Sequence, residues 1–96
     1  MTQVNYRLFE TSVFLEDLET LEKPAREKLR EKFRDYVYPQ LKNRPHFGLN
    51  IKKLKNWEPE TWRYRVGSWR VFYEIHEKDK IVYLTAIDPR RDAYSR

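Results

Sequence analysis

Residues 62–70 read WRYRVGSWR and run on into VFYEIH, a stretch that leaves the backbone few choices. Trp62, Tyr64 and Val66 alternate with Arg63 and Arg65, and after Gly67 and Ser68 the residues Trp69, Val71, Tyr73 and Ile75 alternate again, now with Arg70. A period of two marks a strand with one covered face and one bare face. A two-residue loop that begins with glycine suits a type II′ turn, whose twist matches the flanking strands. Both signals select one register, with Val66 opposite Trp69 and Arg65 opposite Arg70. The apolar set then lies against a core, while Arg63, Arg65 and Arg70 share the bare face and are expected to be exposed. Like charges directly opposite destabilise a sheet, by about a few tenths of a kcal/mol. Either the guanidinium groups splay into water and pair with Glu74, or an anion belongs between them. Guanidinium forks bind phosphate oxygens two at a time and stay charged, which favours phosphate.

Upstream, VNYRLFET places Val4, Tyr6 and Leu8 in strand alternation. Ser12 is a candidate N-cap for a first helix carrying Phe14, Leu15, Leu18 and Leu21. Pro24 restrains Lys23 and opens a second helix reaching about Lys42, with Ala25, Leu29, Phe33, Tyr36, Val37 and Leu41 as its apolar stripe. Residues 43–61 lose periodicity and read as a long loop with a short strand or turn at IKKLK. Strands follow near 62–67, 69–77 and 80–87. The order β-α-α-β-β-β predicts a single α+β domain over residues 1–96, an antiparallel β-sheet with an N-terminal helical hairpin packed on one face.

Composition narrows the function. Of 96 residues, 40 % are hydrophobic, enough for one core. No stretch approaches the ~20 apolar residues that span a bilayer, and the N-terminus lacks the pattern of a signal peptide, so a soluble cytoplasmic protein with no membrane partner is expected. The absence of cysteine excludes disulfides and thiolate chemistry. His46 and His76 read as ordinary surface residues, and no metal or cofactor is expected. Trp57 and Trp62 read first as a loop anchor and a core residue. The net charge of +5 points to an acidic partner.

Two flanks reinforce the arginine face. IKKLK brings Lys52, Lys53 and Lys55 just before the hairpin, and DPRRDAYSR brings Arg90, Arg91 and Tyr94 just after the last strand. Cations for a backbone and a ring for a base are the ingredients of single-stranded RNA recognition.

With LETLEKPAREKLREKF, IKKLK, YRVGSWRVFYEI and IDPRRDAY quoted together, the chain resembles the RelE/ParE superfamily, toxins of type II toxin–antitoxin systems. The resemblance implies a partner antitoxin, expected to be acidic, and for the RelE-like branch a metal-independent endoribonuclease that cleaves mRNA in the ribosomal A site. That chemistry is attack of a ribose 2′-OH on the adjacent phosphate, needing a base, cations for the crowded phosphate and an acid for the leaving oxygen. By motif position, Arg63 and Arg65 fall where RelE has two cleft lysines, Arg70 matches the arginine on the scissile phosphate, and Arg90 and Tyr94 match the terminal arginine and tyrosine. The implied catalytic set is thus Arg65, Arg70, Arg90 and Tyr94, with Lys52, Lys53, Lys55, Arg63 and Arg91 binding RNA. Two positions depart from the pattern: Arg65 replaces a lysine assigned as base, and Pro89 stands where many relatives carry histidine. Arginine is a poor base, so Lys52, Lys53 or Glu74 is a candidate for that role, the alternative being slow cleavage that rests on charge stabilisation alone. The ParE-like alternative is a non-enzymatic inhibitor of DNA gyrase, and a third is a degenerate toxin that only binds its antitoxin.

Overall fold

The computed structural model describes residues 5–89. Strand β1 (Arg7–Glu10) leads into helix α1 (Ser12–Glu19) and helix α2 (Lys23–Lys32). A π-helical turn at Phe33–Val37 joins α2 to α3 (Tyr38–Asn43), and β2 (Ile51–Lys53), β3 (Trp62–Val66), β4 (Trp69–His76) and β5 (Ile81–Pro89) complete the described residues. The five strands form one sheet in the order β1-β5-β4-β3-β2. The α+β class holds, but one pairing departs from the all-antiparallel expectation: β1 lies parallel to β5, with Leu8 opposite Val82. Its direction depends on where the helices return the chain, which alternation within a strand does not encode.

The cap of α1 is Thr11 rather than Ser12. Its hydroxyl accepts from the Phe14 amide at 3.3 Å and donates to the Leu84 carbonyl at 2.8 Å, so one side chain starts the helix and ties it to β5. Phe14 and Leu18 are buried, whereas Leu15 lies outside the stripe and is exposed. In the second helical segment Leu29, Phe33, Val37 and Leu41 are buried at intervals of four, and Tyr36 is exposed, contrary to its place in the expected stripe. A spacing of four overshoots an α-helical turn by about 40° per step. The π turn absorbs part of that drift and keeps the four side chains on the core; there the Tyr38 amide reaches back to the Phe33 carbonyl, just before Pro39, which has no N–H to offer.

The hairpin register is as the sequence dictates: Val66 opposite Trp69, Arg65 opposite Arg70, Tyr64 opposite Val71. Gly67 has φ +60°, the left-handed value that a type II′ turn needs at its first position. Tyr64, Val66, Val71 and Tyr73 are buried with Val82, Leu84 and Ile87 beneath the helices. A bulge in β5 settles what happens next. Tyr73 pairs with Leu84 and Phe72 with Ala86, so Thr85 has no opposite residue. Without that extra residue, strict alternation from Val82 and Leu84 would turn Asp88 toward the core; with it, Ile87 goes in and Asp88 comes out beside Arg70.

Candidate nucleic-acid interface

The face of the sheet away from the helices is built from β2, β3, β4 and β5. Across the β3–β4 ladder Arg65 opposes Arg70 and Arg63 opposes Phe72, while Lys52 on β2 opposes Arg63. Arg63, Arg65, Arg70 and Lys52 therefore share one face, as alternation requires. Their surroundings differ. Arg65 and Lys52 are exposed and Arg63 is half-buried.

Arg70 corrects the expectation of an exposed side chain. Its side chain is 14 % exposed, its guanidinium pairs with Asp88 at 3.2 Å, and it lies 5.6 Å from the centroid of the Phe72 ring. The β5 bulge supplies the carboxylate that makes this possible. A partly neutralised Arg70 also relieves the repulsion from Arg65, which offers a physical reason why the like-charged pair persists.

The lysines divide. Lys53 pairs in register with Trp62, on the side of the sheet opposite to Lys52, and bonds Glu60 at 3.3 Å. It does not join the arginine face, which corrects its grouping with Lys52. Lys55 is exposed in the loop that follows β2. Glu74, the carboxylate considered as a partner for the arginines, instead lies 3.9 Å from His76. Arg90, Arg91 and Tyr94 lie outside the described residues; Pro89, the last of these, pairs with Trp69 at the Arg70 end of β4.

Trp57 does act as a loop anchor: its indole stacks on Phe72 at 5.5 Å between ring centroids, with 25° between the planes. Trp62 packs against the core. A second polar cluster, which no sequence pattern signalled, lies at the far end of β4. There the Glu77 carboxylate accepts from the Tyr6 hydroxyl at 2.8 Å, contacts the His46 ring and lies 3.5 Å from Lys80. His46 also sits edge-on to Trp62 at 5.4 Å, so it is a packed residue rather than an ordinary surface one. Partial burial works to raise the Glu77 carboxyl, but the hydrogen bonds from Tyr6 and His46, the His46 charge and Lys80 outweigh it and hold it below its usual value. Tyr6 moves upward through burial first and its bond to Glu77 second. Tyr6, His46 and Glu77 are far apart in sequence, so no spacing rule could have joined them.

Comparison with known proteins places this geometry. A family model described as the ParE toxin of the type II toxin–antitoxin system matches residues 11–94. Among solved structures, the RelBE2 toxin–antitoxin complex of Mycobacterium tuberculosis aligns with TM-score 0.70 and 23 % identity, covering 91 % of this chain and 100 % of that one. The archaeal RelE–RelB complex of Pyrococcus horikoshii aligns with TM-score 0.64 and 27 % identity over 88 % and 94 % of the two chains. The intact RelBE complex of E. coli gives TM-score 0.63 and 21 % identity over 88 % and 95 %. No curated protein matches the sequence. A helical pair packed on a five-stranded mixed sheet is the fold of the RelE toxins, and with the family model matched over most of its length the chain belongs to the RelE/ParE superfamily of type II toxin–antitoxin toxins.

Proposed function

We propose that this toxin is a metal-independent endoribonuclease that cleaves mRNA, on the ribosome, by 2′-OH attack on the adjacent phosphate. The observation that carries the reading is the shared face of Arg63, Arg65, Arg70 and Lys52, set by the β2–β3–β4 register. Two exposed cations beside two packed guanidinium groups suit a bent RNA backbone, and fixed positive charge is what the crowded phosphate of the transition state demands. Arg65 contacts phosphate directly, and Lys52 stands beside it on β2. Arg70, held by Asp88, is preorganised toward the same place, and Arg63 lines the approach. Lys52 is the strand lysine on this face and takes the role of base, since arginine cannot readily give up its proton and Lys53 points to the other side. By resemblance, Arg90 and Tyr94 complete the catalytic set and Arg91 adds to RNA binding, with Lys55 on the loop side.

The partner that restrains the toxin is an acidic antitoxin in the cytoplasm. The relatives from M. tuberculosis and E. coli are toxin–antitoxin complexes and that from P. horikoshii is a RelE–RelB complex, and the +5 charge of the chain suits an acidic partner.

One finding favours a second reading. The family model is that of the ParE toxin, and the resemblance implies that the ParE-like branch acts on DNA gyrase without cutting nucleic acid. The deciding experiment maps mRNA 5′ ends in cells after brief induction, with a gyrase supercoiling assay in parallel. New ends at fixed positions within codons, lost in Arg65→Ala, support cleavage. Inhibited supercoiling with an unchanged map of ends supports the gyrase reading and overturns the nuclease.

A further inference from the structure

Beside the cationic patch, a groove of about 470 Å³ crosses the same open face from the 54–61 loop over β4 to β5, lined among others by Trp57, Phe72, Glu74 and Asp88. Trp57 is 49 % exposed although one ring face is propped on Phe72, and Phe72 is in turn flanked by the Arg70 guanidinium. Its loop is closed by bonds of its own: Leu54 N–H donates to the Thr61 carbonyl at 3.0 Å, the Thr61 hydroxyl donates to the Pro59 carbonyl at 2.9 Å, and Lys53 meets Glu60 at 3.3 Å. An indole held this way needs little ordering to serve as a stacking platform.

The acids of the groove are not equivalent. Asp17 accepts the Ile87 amide at 2.9 Å, Asp88 holds Arg70, and Glu58, next to Trp57 on the loop, is exposed. Among the described residues Glu74 pairs with His76, at 3.9 Å, and its side chain is 28 % exposed. An ionised carboxylate is purely an acceptor. It repels phosphate and acidic peptides but suits a ligand edge rich in N–H groups. The open face is thus divided, with Lys52, Arg63 and Arg65 on one side and an aromatic platform with a carboxylate on the other. That division fits a nucleotide laid across it, phosphate on the cations and base in the groove.

We propose that Trp57 and Glu74 form a nucleobase subsite in which the indole stacks on one base of a single RNA strand and the Glu74 carboxylate accepts from that base's Watson–Crick edge. Guanine offers two adjacent donors there, N1–H and the 2-amino group, adenine and cytosine one amino group each, and uracil a single N–H between two carbonyls. The subsite therefore ranks guanine first and uracil last. It rests on the RNA reading above and assigns the base contact that the cationic patch does not make.

The test measures binding of the purified toxin to 2′-O-methyl oligouridine heptamers, which resist cleavage, carrying one guanosine, one inosine or neither. Wild type should prefer guanosine over plain uridine by roughly tenfold, with inosine between, because it lacks the 2-amino group. Glu74→Gln should level the series, and Trp57→Ala should weaken all three by roughly 5- to 100-fold, with Trp57→Phe restoring most of the loss. A guanosine preference that survives in Glu74→Gln, or Trp57→Ala binding at wild-type strength, overturns the subsite while leaving the phosphate-binding face in place. Absence of binding to any heptamer at low salt overturns the RNA reading and the subsite together. Should Trp57→Ala fail to fold, Glu74→Gln and Trp57→Phe carry the decision.

Discussion

Arg65 and Arg70 face each other across one ladder, yet truncating them should have unequal consequences. Arg70→Ala removes a charge-assisted bond and a ring contact and strands Asp88 in a partly covered site. Unfolding in urea should show a loss of about 1.5–3 kcal/mol. Arg65→Ala removes an exposed side chain and a like-charge contact, so stability should stay within about 0.5 kcal/mol of wild type. An equal loss at both positions would contradict the bulge-supplied Asp88 contact. Glu77 gives a pH prediction. Its folded carboxyl lies below its usual value, so its contribution is present above the unfolded pKa of ~4.3 and is lost as pH falls through the lower folded value. Between pH 6 and pH 3 the Tm of Glu77→Gln should fall less than that of wild type.

At the scale of elements, the β3–β4 turn and the π turn show how single positions hold whole segments in phase. Gly67 has φ +60°, and among the described residues beyond its two chain neighbours no heavy atom lies within 4 Å of the place an alanine Cβ would take, so Gly67→Ala should cost about 1–2 kcal/mol through backbone conformation alone. A larger loss in thermal denaturation would point to a contact that the geometry does not contain. The hairpin was legible because the period-two pattern and the Gly67 turn signal agree, and agreement between independent local signals fixes a register. The second helical segment was legible only in part. Its stripe of Leu29, Phe33, Val37 and Leu41 could be read, but Tyr36 fell outside because the π turn changes the angular period midway. Thr11 was missed as a cap because Ser12 beside it has the same capping chemistry, and the choice lies with the bond to Leu84 on a distant strand.

At the scale of the molecule, a +5 chain with Lys52, Arg63, Arg65 and Arg70 gathered on one sheet face should bind single-stranded RNA with a strong dependence on salt. Removing Arg65 should reduce the slope of log affinity against log salt by about 0.7, the share of one phosphate contact on a single strand. A slope unchanged by that substitution would place the RNA elsewhere. By itself the sequence determined the α+β class, the hairpin register and the face that carries Arg63, Arg65 and Arg70, because side-chain alternation and turn geometry act over a few residues. Tertiary structure alone decided that β1 runs parallel to β5, that Asp88 meets Arg70, that Lys53 leaves the arginine face, and that Tyr6, His46 and Glu77 converge. Each of these depends on the packing of segments remote in the chain, and one unopposed residue, Thr85, is enough to reverse which face a carboxylate occupies.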